Sequence, residues 1–207
     1  MKKIAGIAFI SASLLLTGAC SHKESSGVTK NEKETTNQQT NKKAPFEITE
    51  VKVTLVNDKH IVGSTIIREK GKSLELVPTS LYYKFKLKQT DNKKMYNAGE
   101  DNIDVKIIPN KELKSTSKDI LGFNVYSDDE RTGGLGKGIG IGDFNKSGEA
   151  SLDLNYDLGT TVENSQMPLV PSKDKLEKLR QKALEGTLVI IRNHKEIARI
   201  NLKPLKK

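Results

Sequence analysis

Residues 152–158, Leu-Asp-Leu-Asn-Tyr-Asp-Leu, decide the fold class of this chain of 207 residues. Apolar and polar side chains alternate strictly, which predicts a β-strand with one buried and one solvent-facing side. Residues 81–87, Leu-Tyr-Tyr-Lys-Phe-Lys-Leu, repeat this period, with Tyr83 and Phe85 on the buried face. Two half-buried strands of this kind indicate an antiparallel sheet over an apolar core.

Shorter stretches with the same period lie on both sides of these two strands. Near Thr49–Glu50 the phase slips, which predicts a β-bulge. The turn residues Asn193-His194-Lys195 separate two apolar stretches and predict a closing hairpin. The further strands predicted from this pattern are 46–55, 61–67, 74–77, 103–107, 120–125, 187–191 and 197–202.

One helix is predicted near the C-terminus. Ser172 follows Pro171 and suits the N-cap position, and Gly186 suits the position just after the helix. Between them apolar side chains recur at helical spacing, at Leu176, Leu179, Ala183 and Leu184. The fold class predicted for residues 45–207 is therefore mostly β, an antiparallel β-sandwich with one short helix.

The N-terminus has the features of an export signal. Lys2 and Lys3 precede residues 4–16, which carry no charge. A positive start followed by an apolar segment is typical of a secretory signal peptide. As a helix this segment is about 20 Å long, shorter than the ~30 Å hydrocarbon core of a bilayer, so it is not expected to span one.

The segment ends in Leu16-Thr17-Gly18-Ala19-Cys20, which contains the one cysteine of the chain. This stretch resembles the lipobox of bacterial lipoproteins, with Thr17 where the common pattern has leucine. In that family a dedicated peptidase cuts before a cysteine that carries a diacylglycerol and often an N-acyl group. The resemblance covers residues 1–20. It implies cleavage of a signal peptide of residues 1–19 and lipidation of Cys20, both S-diacylglycerol and N-acyl.

The lone cysteine supports the same interpretation. An unpaired thiol in an oxidising compartment forms no intramolecular disulfide and needs another reason to be there. The alternative is an ordinary secreted protein with a free thiol. Two or three acyl chains attach a protein stably, whereas one chain binds only marginally. We therefore expect a lipid-anchored protein on the extracytoplasmic face of the cell membrane, with the membrane as a partner through Cys20.

Residues 20–44 consist almost entirely of polar and charged side chains. Such a segment buries too little apolar area to offset the entropy of ordering, so a disordered tether is predicted. Residues 45–207 form the predicted globular domain. Its short strands and turns resemble the immunoglobulin-like lipoprotein domains of Gram-positive bacteria, which implies an immunoglobulin-like β-sandwich.

The net charge is +9; part of the positive charge lies in residues 20–44 and at Lys203, Lys206 and Lys207, and most of the rest is spread as single lysines. This distribution favours a solvated surface over a binding patch. A nucleic-acid partner is not expected on the extracytoplasmic face of a cell membrane. No cofactor is expected either.

Residues 133–142, Gly-Gly-Leu-Gly-Lys-Gly-Ile-Gly-Ile-Gly, are the most unusual stretch of the domain. A phosphate-binding loop requires lysine followed by serine or threonine before a helix, whereas Lys137 is followed by Gly138. We interpret the stretch as a mobile loop or a weak edge strand. The alternative is a loop that binds a partner.

Residues 143–151 resemble the start of a calcium-binding loop. The matches to positions 1, 3, 5 and 6 of such a loop are Asp143, Asn145, Ser147 and Gly148. Position 12 is Leu154 instead of a bidentate glutamate, which weakens the match. An ordinary turn between two strands is favoured, and a weak calcium-binding module stays as an alternative.

The remaining polar groups do not form a recognisable reaction centre. Asp128-Asp129-Glu130-Arg131 predicts a solvated charged turn. The three histidines, His22, His60 and His194, lie far apart in sequence without metal-ligand spacing, so we predict surface positions for them. No catalytic or metal-binding residue is assigned.

The sequence therefore predicts an outward-facing membrane lipoprotein whose domain is a non-catalytic binding module at the cell envelope. Its expected partner is an envelope protein, a cell-wall polymer or a small ligand. The alternative is an envelope hydrolase whose site assembles only in the fold. That alternative requires a cleft that gathers His60 or His194 with Asp128, Asp129 or Asp143.

Overall fold

The computed structural model of the protein describes residues 45–90 and 101–205. The predicted signal peptide, Cys20, His22 and the tether lie outside the described residues. Within them the fold is mostly β, with antiparallel sheets and a few short helices. No helix in these two ranges has the length and apolar character needed to cross a membrane.

The described chain contains nine β-strands, three α-helices and a short 3-10 helix. In chain order they are β1 (Phe46–Val56), α1 (Lys59–Val62), β2 (Thr65–Glu69), β3 (Lys72–Leu76), β4 (Pro78–Gln89), β5 (Ile103–Pro109), α2 (Lys111–Leu121), β6 (Lys137–Ile141), β7 (Glu149–Thr160), α3 (Lys173–Lys182), β8 (Gly186–Arg192), β9 (Lys195–Asn201) and the 3-10 helix (Lys203–Leu205).

Three antiparallel sheets organise the strands. The largest has the order β1-β4-β7-β6, so that β1 and β6 are its edges. A second sheet has the order β5-β8-β9, and β2 pairs with β3 in a separate hairpin. In the largest sheet Tyr83 lies opposite Leu154, and Phe85 lies opposite Leu152. The apolar side chains of β4 and β7 therefore share one face, as their alternation requires.

One apolar core receives side chains from both larger sheets and from α2 and α3. Tyr83 and Tyr156 are fully buried at its centre, where their rings meet edge to face. Tyr83 donates a hydrogen bond to the carbonyl of Ala183 at 3.1 Å and lies 2.9 Å from the hydroxyl of Tyr126. The hydroxyl groups of buried tyrosines thus find partners, as burial of a polar group demands.

The structure confirms the two alternating strands, the strand at 103–107 and the C-terminal hairpin. It also confirms the bulge, because the register of β1 with β4 shifts between Ile48 and Glu50. The hairpin turn contains Asn193 and His194, with φ values of 48° and 64°. Two consecutive positive φ values match the twist of the flanking strands in a two-residue turn.

The prediction of a single short helix is wrong, because α1 and α2 are present as well. The strand predicted at 120–125 is also wrong, since these residues end α2 and form the loop after it. Asn110 caps α2 by accepting a hydrogen bond from the N–H of Leu113 at 2.8 Å, and Gly122 ends it in the left-handed conformation. Helix α2 was missed because it buries few apolar side chains, chiefly Leu113.

Two predicted boundaries are wrong as well. The strand predicted at 61–67 begins only at Thr65, because Asp58 caps the short helix α1 over its first part. Gly186 does not follow the helix directly but is the first residue of β8. A Cβ at this position would lie 2.9 Å from the carbonyl oxygen of Ile108, so glycine is needed there for close strand packing.

Candidate functional site

Every second residue from 136 to 142, within β6 and directly beside it, is glycine. These positions lie on the solvent-facing side of the largest sheet. Gly138 and Gly140 lie opposite Asn155 and Asp153 of β7 in the antiparallel register. A Cβ at Gly138 would lie 2.2 Å from Asn155 Oδ1, so this polar side chain leans over the bare backbone of β6. We define the glycine stripe as Gly136, Gly138, Gly140 and Gly142.

Backbone conformation does not explain the glycine stripe, because none of its four residues has a positive φ. On the opposite face of β6, Ile141 packs against the core and Lys137 Nζ lies 2.7 Å from Asp104 Oδ1 of β5. Strand β6 therefore has one occupied face and one face without side chains. Its position confirms the edge-strand interpretation of this segment.

A groove of about 440 Å³ lies above the glycine stripe. Polar side chains of β7 form one part of its lining, and apolar residues of α1 form another. Tyr82 of β4 also contributes to the lining. We call this feature the glycine groove; its residues outside β6 are Ile61, Val62, Gly63, Tyr82, Gly136, Asp153, Asn155 and Asp157.

Asp157 is the buried carboxylate of the glycine groove. Its Oδ1 accepts hydrogen bonds from Ser80 Oγ at 2.6 Å and from Asn155 Nδ2 at 3.3 Å, and its Oδ2 accepts one from the N–H of Gly136 at 3.0 Å. Burial raises the pKa of Asp157 above its ordinary value, and these hydrogen bonds oppose the shift. Asp157 is thus fully engaged inside the protein and fixes the start of β6 against β7.

Asp153 has a different environment. It forms no ion pair with any residue in the described ranges. Its Oδ1 is buried and receives no hydrogen bond of normal geometry there. Its neighbour Tyr82 has a pKa raised to about 12, first by burial, then by the negative charge of Asp153 and by a hydrogen bond to that carboxylate. Asp153 is therefore a carboxylate without an ion-pair partner among the described residues, beside the hydroxyl of Tyr82 and opposite Lys84 of β4.

The composition of the glycine groove defines the ligands that suit it. Asp153 and the Oδ1 of Asn155 are acceptors, so a ligand must supply hydrogen-bond donors or positive charge. Ile61 is 51% exposed and gives the groove an apolar wall. A ligand with an apolar stem and a donor or cationic tip matches this combination.

A larger groove, of about 680 Å³, lies between β1 and α3. Arg180 occupies it and donates hydrogen bonds to Glu177 Oε2 at 2.8 Å and to the carbonyl of Val53 at 3.2 Å. Arg180, the principal cation of this larger groove, is therefore already paired. It also occupies a backbone carbonyl of edge strand β1. For this reason we assign the candidate site to the glycine groove.

The calcium-loop residues form the hairpin turn between β6 and β7. Asn145 Oδ1 accepts hydrogen bonds from the N–H groups of Ser147 and Glu149, both at 2.9 Å, and from Ser147 Oγ at 2.7 Å. These bonds occupy the oxygen that a cation would need. The residues that the structure describes contain no group of three His, Cys, Asp or Glu side chains arranged to hold a metal ion.

Two side chains of the charged turn at 128–131, Glu130 and Arg131, make contacts with the backbone and with the core. Arg131 forms an ion pair with Asp128, donates to the carbonyl of Val125 at 3.0 Å and lies 5.6 Å above the ring of Tyr156. Glu130 accepts a hydrogen bond from the N–H of Asn124 at 3.0 Å, which is the main cause of its lowered pKa. These contacts attach the loop after α2 to the core.

Among the described residues, the glycine groove does not gather the groups that the hydrolase alternative requires. His60 lies exposed on α1, and His194 lies exposed in the β8–β9 turn. Neither lines the glycine groove, and neither do Asp128, Asp129 or Asp143. Ser80 is the nearest hydroxyl to Asp157 and is bonded to that carboxylate.

Sequence reasoning did not identify the residues that line the groove, namely Tyr82, Asp153, Asn155 and Asp157. In the sequence they are the polar members of alternating strands, which is typical of any solvated face. One signal was present: glycine at every second position from 136 to 142 predicts a strand face without side chains. Only the pairing of β6 with β7 shows which polar side chains fill that space.

Comparison with known proteins returned no family model, no curated protein and no solved structure that matches this chain.

Proposed function

We propose that this chain is an outward-facing bacterial membrane lipoprotein and that its β domain is a binding module at the cell envelope. The anchoring half of the proposal rests on Leu16–Cys20, the lipobox-like end of the signal sequence. Residues 1–19 would be removed, and the lipid on Cys20 would hold the protein through the polar tether of residues 20–44.

The binding half rests on one observation, the carboxylate of Asp153, which lines the glycine groove and forms no ion pair among the described residues. A carboxylate without an ion pair attracts a ligand that supplies hydrogen-bond donors or positive charge, and its Oδ2 lies next to the space above Gly140. The proposal is a non-catalytic module, since the groove holds acceptors but no histidine beside a nucleophile. The proposed partner is an envelope protein or a cell-wall polymer.

The proposed architecture is an immunoglobulin-like β-sandwich. Two antiparallel sheets that contribute to one apolar core support it. An experimental structure tests this proposal through the spatial order of the strands in the two sheets.

Anchoring is tested by Cys20→Ala, with Ser21→Ala as the matched control. We expect Cys20→Ala to remain unprocessed or to leave the membrane fraction, while Ser21→Ala is processed and retained. Metabolic labelling with a radioactive fatty acid reports the lipid directly. Equal labelling and retention of the two variants would refute the lipoprotein proposal.

Binding is tested by photo-crosslinking on intact cells. A photoreactive residue replaces Ile61, which lines the glycine groove, or Leu169, which is 56% exposed and does not line it. We expect a defined adduct from position 61 that is absent from position 169 and is lost in Asp153→Asn. Adducts that form equally at both positions, or that ignore Asp153→Asn, would contradict binding at this groove.

A further inference from the structure

Strand β6 presents a free backbone edge. Gly142 donates a hydrogen bond to the carbonyl of Ser151 at 2.9 Å, and Gly136 accepts one from Asp157 at 3.1 Å, so these glycines bond toward β7. In an antiparallel pair, hydrogen-bonded residues alternate with residues whose N–H and C=O groups point away. The amides of Ile139 and Ile141 therefore point outward, at the end of the four-stranded sheet.

The other edge strands of the two larger sheets carry protective features. On β1 the carbonyl of Val53 accepts a hydrogen bond from Arg180 at 3.2 Å. On β5 the N–H of Ile107 donates to Tyr156 Oη at 2.9 Å, and Pro109 ends the strand. Strand β9 carries Lys195, Glu196 and Arg199. Charges, prolines and covered backbone groups prevent strand addition at sheet edges.

Strand β6 has no comparable protection among the described residues. Its one charged residue is Lys137, which is held by Asp104 on the inner face. Ile139 is 37% exposed at the middle of the edge. An unprotected edge of this kind is a template for pairing with another extended chain.

Gly140 adds an independent argument, because the fold does not require glycine there. Its φ is not positive, and a Cβ would meet its nearest neighbour, Asp153 Cβ, at 3.6 Å, an ordinary contact distance. Glycine within a strand weakens the sheet by roughly 0.5–1 kcal/mol relative to alanine. A glycine within a strand often marks a bulge, a tight bend or the close approach of a ligand or another backbone.

The charge next to that space defines the partner. Asp153 Oδ2 lies 4.0 Å from the position of a Cβ at Gly140. In the pairing of β4 with β7, Lys84 lies opposite Asp153. Both residues are described by the structure, and they do not form an ion pair with each other. The space above Gly140 therefore leads to an acidic group, and the apolar wall formed by Ile61 flanks the groove.

We propose that β6 binds an extended peptide segment rich in lysine or arginine as an added strand, and that one basic side chain of that segment crosses Gly140 to reach Asp153. Neighbouring strands lie about 4.8 Å apart, so the added strand would lie about 9.6 Å from β7. A long basic side chain spans this gap only where no side chain of β6 intervenes. The inference rests on the proposed binding function and names the class of its partner.

The test uses the full chain purified in detergent and two short fluorescent peptides, one of alternating lysine and valine and one of alternating glutamate and valine. We expect the lysine peptide to bind and the glutamate peptide not to bind, as measured by fluorescence anisotropy. In hydrogen exchange followed by NMR, the amides of Ile139 and Ile141 become protected by the lysine peptide. The amides of Gly138 and Gly140 already face β7 and change little.

Three variants separate the parts of the proposal, and thermal unfolding of each verifies folding. Asp153→Asn weakens binding by about tenfold or more, as expected for loss of a charge pair. Gly140→Val fills the crossing and has a similar effect. Ile139→Pro removes an outward N–H and abolishes binding, whereas its control Ile139→Val binds normally. Proline is tolerated at such an edge position, so the variant folds.

Several results would overturn the inference. Equal binding of both peptides would exclude recognition of charge by Asp153. Binding without protection of Ile139 and Ile141 would exclude strand addition. Protection of these amides by self-association in the absence of peptide would assign the edge to a second copy of the chain. If crosslinking from position 61 succeeds while the lysine peptide fails to bind, the binding module stands and its basic-peptide partner is wrong.

Discussion

The N–H of Ile107 donates a hydrogen bond of 2.9 Å to the hydroxyl oxygen of Tyr156, which joins the edge of one sheet to the centre of the other. Ile107 belongs to edge strand β5, and Tyr156 lies on β7 in the four-stranded sheet. Both residues are at most 1% exposed. A buried backbone amide without a strand partner on its outer side is thereby satisfied by a side chain.

Tyr156→Phe removes this acceptor while it preserves the ring. We expect the free energy of unfolding to fall by about 1–3 kcal/mol, because the amide of Ile107 loses its partner in a buried position. Urea denaturation measures the change. Tyr82→Phe is the control on the solvent side of the same sheet, and a loss there as large as in Tyr156→Phe would contradict the assigned role of the hydrogen bond.

The three buried tyrosines predict loss of stability at alkaline pH. Burial raises the pKa of Tyr83, Tyr126 and Tyr156 above the ordinary value of 10.0. As the pH rises, the unfolded chain therefore loses these protons before the folded protein does. Their contribution to the free energy of unfolding is fully present below pH 10 and falls as the pH rises above it. The slope approaches about 1.4 kcal/mol per pH unit for each tyrosine that ionises only on unfolding.

Urea denaturation at a series of pH values measures this slope. Tyr126→Phe removes one titrating group, so its slope above pH 10 should be shallower than that of the unmodified protein. A free energy of unfolding that stays level well above pH 10 would contradict the burial of the three phenols.

Alanine at two neighbouring glycines of the stripe should have opposite effects. In Gly138→Ala the new Cβ displaces Asn155, which loses its hydrogen bond to Asp157, and we expect a cost of about 0.5–1.5 kcal/mol. In Gly140→Ala no contact closer than 3.6 Å arises, and we expect a gain of up to about 1 kcal/mol. Thermal unfolding of the two variants side by side decides the point, and destabilisation by Gly140→Ala would show that the fold does require glycine there.

Arg131→Ala should destabilise the protein although Arg131 lies in a charged turn. Its side chain is 8% exposed. It donates a hydrogen bond to the carbonyl of Val125 and lies over the ring of Tyr156. We expect a cost of about 1–3 kcal/mol by urea denaturation. The exposed neighbour Asp129→Ala should change stability by less than about 0.5 kcal/mol. Similar values for the two variants would restore the interpretation of this turn as merely solvated.

The strands at 81–87 and 152–158 were predictable because burial of one face imposes a period of two on the sequence. Helix α2 was not, because its residues Lys111–Leu121 carry one fully buried leucine, and its caps at Asn110 and Gly122 are short-range signals shared with ordinary turns. Periodicity identifies elements in proportion to the apolar area that they bury.

The candidate site was less predictable than the fold. Asp153 and Asn155 alternate with leucines in the way that any solvent-exposed strand face does. Their environment depends on Gly138 and Gly140, which lie opposite them across a hairpin whose register the sequence does not specify. For Cys20 the reverse holds: its lipidation is expected from the sequence alone and stays a prediction, because Cys20 lies outside the described residues.

The tyrosine cluster also makes the protein its own optical probe. The chain contains no tryptophan, so its near-ultraviolet signal comes chiefly from tyrosine. The ring centroids of Tyr126 and Tyr156 lie 5.0 Å apart, and the two ring planes form an angle of 67°. The ring planes of Tyr83 and Tyr156 form an angle of 85°. Rings held at fixed angles in a chiral core give a circular dichroism band that vanishes when the packing loosens. The band therefore reports on the junction of the two sheets without any attached label.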